Sequence, residues 1–339
     1  MKKKLSLLLA TVMMVGSLTA CGGVQTDSDK AKEEKTEVEV TEGKDAYSED
    51  IKIAFLPVFI GDAAASAWSE GMQEYLKSFP NIKFDMYDGE GSVDAQVKIM
   101  DELINQKYDA ILLQAVEATG LVASVDKAEA AGIPVITVNL DADTVHTGLV
   151  AGVDVEAGEI IANEIGTSFD GAAKVVIISA TAGASKGEKL DKGFKDTMKE
   201  KYPDVEILDE QSGEWLTENA NIVMSDFLTK YKELDAVFCH NDPMAEGAAE
   251  ACKAVGRDDI QIWGVDGESK MLDYIDQGLC EGTVYTNFYA QGQLCAQQAV
   301  YAIQSGITGA NLSKTPLIKM APIVVKQDNL NTITEDMRW

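Results

Sequence analysis

DAILLQ at 109–114 and GIPVITVN at 132–139 are answered later in the chain by DAVFCHN at 235–241 and DIQIWGVD at 259–266. Each run is a short apolar stretch that ends on a polar residue: Gln114 and Asn139 in the first pair, Asn241 and Asp266 in the second. Both pairs of end points, 114 to 139 and 241 to 266, lie 25 residues apart. Short apolar runs bounded by Gly, Pro or Asp read as buried strands, and the interval leaves room for one helix. The repetition in spacing and in kind implies two similar lobes. Working outward, IKIAFLPV at 51–58, IKFDMY at 82–87, KVVIISA at 174–180 and VEILDE at 205–210 are strand-like too, with helical patterns between them. Strands alternating with helices build βαβ units around parallel sheets with right-handed crossovers. The expected fold is α/β, with two similar doubly wound parallel-sheet lobes, since roughly 290 residues suit two domains.

In open parallel sheets a ligand sits outside the carboxyl ends of the strands. Here those ends are polar. Asp62 follows the first strand, Gln114 and Asn139 close later strands of the first lobe, and Asn241 and Asp266 close strands of the second. If the lobes face each other, these groups converge. Carboxylates and amides accept or donate in fixed planes and suit vicinal hydroxyls. Trp215 lies just past a strand end, where an indole stacks on the apolar face of a sugar ring. Packing in the core or on the surface is the plain alternative for it.

The flanks say where the chain works. Met1 and Lys2 to Lys4 precede an uncharged run from Leu5 to Ala20, shorter than the ~20 residues of a membrane span and typical of a cleaved export signal. Leu18-Thr19-Ala20-Cys21-Gly22-Gly23 resembles a lipobox, so residues 1–20 are read as a signal peptide and Cys21 as the lipidation site. From there to residue 48 the chain is acidic and polar, read as a disordered linker that stands the body off a membrane. The expected location is extracytoplasmic, with the lipid as the sole membrane contact. Formal charge is −27, and −30 once the three leader lysines are gone. Such a surface repels phosphate backbones, so nucleic acid is excluded as a partner. Cys239, Cys252, Cys280 and Cys295 show no C-x-x-C spacing, and with two histidines in the chain a metal site is not expected. These cysteines are small buried residues or hold one disulfide.

Across about residues 50 to 330 the chain resembles the type I bacterial sugar-binding proteins of the ribose and galactose/glucose kind, which serve ABC importers. The most specific stretches are Gly132 to Thr137, Asn241-Asp242-Pro243-Met244-Ala245 with Gly247, and Gly264-Val265-Asp266-Gly267. The resemblance implies three hinge crossovers, near 152–154, 286–288 and 317–320. It divides the chain into an N-terminal lobe of 49–153 plus 287–318 and a C-terminal lobe of 154–286 plus 319–339. It implies ligand contacts at Asp62, Asn139, Asn241 and Asp266, stacking by Trp215, and a role for Thr286 or its neighbour Asn287. Gln114, Asp141 and Glu188 complete the candidate set. There are departures: Ala64 and Ala65 stand where those relatives carry phenylalanines, leaving Phe59 or Trp68 to supply the wall, and Lys186-Gly187-Glu188 stands where they carry an arginine. The resemblance implies a monomer that passes a small sugar to permease subunits, with no cofactor, and the two acids and three amides at the strand ends beside the single base Lys186 favour a neutral one.

Two nucleotide-binding motifs are absent: there is no G-x-G-x-x-G and no G-x-x-x-x-G-K-[ST]. His240 is an isolated histidine, read as structural. The alternatives are a receptor of the same fold feeding a chemotaxis or two-component sensor and, further off, a glycosidase using Asp62 and Asp266.

Overall fold

The structure, a computed structural model, describes residues 42–339. The expected signal peptide, Cys21 and most of the expected linker lie outside the described residues. The rest of that linker is ordered sooner than its composition suggests. Lys44 donates its N–H to the Ile303 carbonyl at 3.0 Å, Ala46 is buried, and the Tyr47 ring lies 4.9 Å from that of Phe79.

In the first half, β1 (Ile51–Leu56), β2 (Ile82–Met86), β3 (Ala110–Leu113), β4 (Val135–Val138) and β5 (Gly148–Ala151) alternate with α1 (Ala63–Leu76), α2 (Val93–Asn105) and α3 (Val122–Ala130). In the second, α4 (Asp154–Ser168) leads to β6 (Lys174–Ser179), α5 (Ser185–Lys201), β7 (Glu206–Ser212), α6 (Thr217–Lys230), β8 (Ala236–Cys239), α7 (Asp242–Val255), β9 (Gln261–Asp266), α8 (Ser269–Asp276) and β10 (Gly282–Tyr285). Helix α9 (Phe288–Ser305) and strands β11 (Leu317–Lys319) and β12 (Ile323–Lys326) follow.

The first sheet has the order β11-β5-β4-β3-β1-β2 and the second β12-β10-β9-β8-β6-β7. All pairings in the first are parallel, and β12 alone among the paired strands runs antiparallel, against β10. The central strands are apolar throughout because helices cover both faces of each sheet. Ile53, Phe55 and Leu112 of β1 and β3 face one cluster with Trp68 and Phe288, while Leu56, Ile111 and Leu113 face another with Met100 and Leu103. The second sheet is likewise sandwiched.

The chain passes between the halves after β5, after β10, and between β11 and β12. Strands β5, β10 and β11 therefore sit beside these passages, and α9 returns to pack on α1. The two helices touch backbone to backbone: a Cβ on Gly292 would lie 2.1 Å from the Trp68 carbonyl oxygen, and one on Gly71 2.0 Å from that of Tyr289. That close crossing brings Trp68 and Phe288 together, ring centroids 4.5 Å apart. The thiols of Cys239, Cys252, Cys280 and Cys295 are all buried and free, so the disulfide alternative is not what the structure holds.

Candidate functional site

Between the halves, at the carboxyl ends of the strands, lies a narrow cavity. It is lined by Val58, Phe59, Asp62, Ala64, Trp68, Gln114, Asn139, Leu140 and Phe288 on one side and by Lys186, Trp215, Asn241 and Asp266 on the other. It encloses about 400 Å³ of empty space, part of it open to solvent at the mouth. That is room for one compact small molecule. Six residues expected from the sequence are thus brought together: Asp62, Gln114, Asn139, Trp215, Asn241 and Asp266.

Local structure explains why polar side chains stand here. Asp62 is the N-cap of α1, its Oδ1 accepting the Ala65 N–H at 3.0 Å, and Asn241 is the N-cap of α7, its Oδ1 accepting the Met244 N–H at 3.0 Å. A strand that hands over to a helix at the sheet edge needs such a cap, and Pro243 suits the first turn that follows. Asn241 also donates from Nδ2 to the Trp215 carbonyl at 3.1 Å, fixing the loop that carries the indole. Gln114 accepts the Val58 N–H at 2.9 Å through Oε1. Its own carbonyl receives Gln96 Nε2 at 2.8 Å.

Three lining residues have left-handed backbone: Asn139 at φ 61°, Trp215 at φ 68° and Asp266 at φ 115°. Such non-glycine conformations cost about 1–3 kcal/mol each and persist where surrounding structure imposes them. Their gathering around one cavity marks it as a built site.

Lys186 is 98% buried and its Nζ pairs with Asp266 Oδ1. Burial pushes the Asp266 carboxyl up to about 6, with Lys186 opposing and Asp154 and Asp62 adding to the rise. Burial also raises Asp62 and Asp154. Three carboxyl groups, Asp62, Asp154 and Asp266, thus gather around the one lysine. The indole Nε1 of Trp215 is buried without a hydrogen-bond partner, a donor that a ligand oxygen would satisfy.

Four expected site residues do not line the cavity. Glu188 is exposed on α5. Positions four apart share a helix face, so Lys186 and Leu190 turn inward while Glu188 points away, and the lysine takes the place expected for the glutamate. Asp141 spends its side chain on a buried network, 2.8 Å from Thr137 Oγ1 and 3.2 Å from His146 Nε2. Burial alone would raise its carboxyl, but His146, Thr137 and Lys189 together hold it below the usual range. Thr286 is buried on the strand side of the second passage, its N–H given to the Asp266 carbonyl at 2.9 Å. Asn287 caps α9 through the Ala290 N–H at 2.9 Å.

Outside the cavity the halves also touch directly. The Ala118 N–H donates to the Gly183 carbonyl at 3.0 Å and the Asp141 N–H to Ser185 Oγ at 2.8 Å. Trp215 packs against clusters of both halves. Gly183, at φ 81°, admits this approach because a Cβ there would meet Glu117 Cγ at 2.7 Å. His240 proves to be internal: its Nδ1 accepts the Ala180 N–H at 3.1 Å and its Nε2 lies 3.3 Å from Asp191 Oδ1.

Two α/β halves face each other across a polar cavity at their strand ends, and residues 53–307 match the family described as the periplasmic binding protein domain. The chain belongs to the periplasmic binding protein family. Among the periplasmic binding proteins it resembles in sequence is the xylitol-binding protein of Mycolicibacterium smegmatis, 28% identical over 295 residues that cover 86% of this chain and 82% of the relative. The ribose import binding protein of Bacillus subtilis is 30% identical over 236 residues, 69% of this chain and 74% of the relative. Among solved structures, the binding component of the arabinose ABC transporter of Shewanella sp. ANA-3, bound to α- and β-L-arabinofuranose, superposes with a TM-score of 0.75. It is 26% identical, over 85% of this chain and 95% of that one. The myo-inositol binding protein of Caulobacter shares the fold at a TM-score of 0.78 and 22% identity, covering 86% of this chain and 97% of that one.

Proposed function

We propose that the protein captures one small neutral polyhydroxy molecule, a monosaccharide or related polyol, between its two lobes and delivers it to the permease of an ABC importer, without chemical turnover. The observation that carries this reading is the donor and acceptor inventory of the cavity. Asp62 and Asp266 supply acceptors, Lys186, Gln114 Nε2, the second Asn241 N–H and Trp215 Nε1 supply donors, and Asn139 supplies both. A molecule whose hydroxyls donate and accept in turn meets both kinds. An anionic ligand would bring its charge into a water-poor cavity beside Asp62 and Asp266, where repulsion is far costlier than in water. The names of the relatives, xylitol-binding and ribose import among them, support the same class.

Calorimetry against neutral pentoses, hexoses and polyols, with matched uronic acids, sugar phosphates and amino sugars, tests it. A neutral member is expected to bind, and its acidic counterpart to bind at least tenfold more weakly, about 1.4 kcal/mol. Tight binding of a uronic acid or sugar phosphate beside an inert neutral parent would sink the reading.

The lipid anchor belongs to the same proposal. Cys21 carries the acyl chains, supported by the uncharged run from Leu5 to Ala20 and the lipobox-like Leu18 to Gly23. More than one chain is needed for stable attachment. A Cys21→Ser protein is expected in the soluble fraction, and one that still sediments with salt-washed membranes would place the anchor elsewhere.

A further inference from the structure

We propose that Trp339 is a positioning residue for the ligand cavity, holding Phe288 in place from behind. The inference rests on the binding reading above and adds to it a residue that lies outside the cavity.

Phe288 is fully buried and forms part of the cavity wall. Trp68, another lining residue, packs on it at 4.5 Å between centroids, and Trp339 stacks on it at 4.4 Å with 22° between the planes. Phe288 is thus held between two indoles. The two are anchored to different halves. Trp68 belongs to α1, and its Nε1 donates to Gln291 Oε1 at 2.7 Å, while Gln291 Nε2 donates to the β5 carbonyl of Val150 at 2.8 Å. Trp339 is tied to the second half: the Ser269 N–H donates to its carbonyl at 2.9 Å. The preceding turn is tied there as well, with Tyr285 Oη donating to the Met337 carbonyl at 2.7 Å and Arg338 paired with Asp273 at 3.0 Å.

The indole Nε1 of Trp339 then donates to the carbonyl of Thr286 at 3.2 Å. Thr286 lies in the passage from β10 to α9, two residues before Phe288. One side chain therefore grips the hinge backbone of one half through its N–H and the cavity wall of the other through its ring face. It packs against apolar clusters of both halves. Lys186 Nζ lies 5.9 Å from the centre of the Phe288 ring.

The test uses the full chain with Trp339→Leu, which keeps bulk without a ring, and Trp339→Phe, which keeps a ring without the N–H. Affinity is measured for whichever neutral sugar or polyol the wild type binds most tightly in the calorimetric panel. A second arm follows the fluorine signal of 4-fluorophenylalanine placed at position 288 in the ligand-free protein. Trp339→Leu is expected to weaken binding between about threefold and tenfold, the fold-change of a lost aromatic pair, and Trp339→Phe to stay within about twofold of wild type. The fluorine signal is expected to shift or broaden in Trp339→Leu and to return in Trp339→Phe. Wild-type affinity with an unmoved signal in Trp339→Leu overturns the inference, as does a loss that Trp339→Phe does not restore. A wild type that binds nothing in the panel defeats the binding reading, and the fluorine arm alone then decides whether Trp339 sets the ring of Phe288.

Discussion

A Lys186→Met protein is expected to lose tight ligand binding and to be less stable than wild type at pH 7, by about 3–5 kcal/mol, the usual consequence of removing one partner from a buried pair. Lys186 is the buried cation beside Asp266, and Asp154 and Asp62 both bear on the same charge balance. Methionine keeps most of the volume and removes the charge. The effect depends on pH with a definite sign. The folded-state carboxyl of Asp266 is pushed up to about 6 from an ordinary 3.8, so the folded protein holds that proton more tightly than the unfolded chain does. Its contribution to stability is full below the ordinary value and is lost as pH rises through about 6. Without Lys186 the carboxyl rises further and the loss moves to higher pH. Ligand affinity runs the opposite way in wild type, because an ionised acceptor makes the stronger hydrogen bond to a hydroxyl. Affinity is expected to grow as pH rises through about 6, and Asp266→Asn to flatten that dependence. Chemical denaturation and calorimetry at pH 5 to 8 read both effects. A Lys186→Met protein with wild-type affinity and an unchanged unfolding midpoint would refute this account of the site's charge.

Trp215→Ala is expected to weaken binding by about 2 kcal/mol or more, the range of an anchor residue. The indole is only partly exposed, packs against both halves, and carries a buried Nε1 with no partner. Its removal takes away a wall of the cavity, an interlobe contact and a donor at once. Trp215→Phe separates these, since it keeps a ring face and loses the N–H, and it is expected to fall between wild type and alanine. Ligand-induced quenching of tryptophan emission should shrink in both variants. Trp, Phe and Ala all carry a Cβ, so the left-handed φ of 68° at this position penalises each of them and does not confound the comparison. A folded Trp215→Ala protein with an unchanged dissociation constant would return the residue to a packing role.

The candidate site was legible in the sequence where chemistry changes along a strand. Gln114, Asn139, Asn241 and Asp266 each follow an apolar run, and the helix that comes next demands a cap or a turn at that point. Trp215 was marked by its place after VEILDE, although its left-handed backbone was not. Lys186 and Glu188 show where such reading ends. They are two residues apart, and which one enters the cavity depends on where α5 begins, at Ser185, a boundary without a side-chain cap to announce it. Strands β5, β10, β11 and β12, three or four residues long, escaped as well. They flank the passages between the halves, so the hinge was the part of the fold least visible in the pattern.

By itself the sequence determined the α/β class, the doubling into two lobes, and the polar strand ends at which a ligand is met, because burial on both sheet faces and helix capping act within a few neighbouring residues. Only the tertiary structure decided that Lys186 is the cavity's cation, that Asp141 is consumed by His146, and that Phe288 forms a wall between Trp68 and Trp339. Those three facts join residues far apart in the chain. They follow from the angle at which helices cross and the way one half meets the other, which no local run of residues encodes.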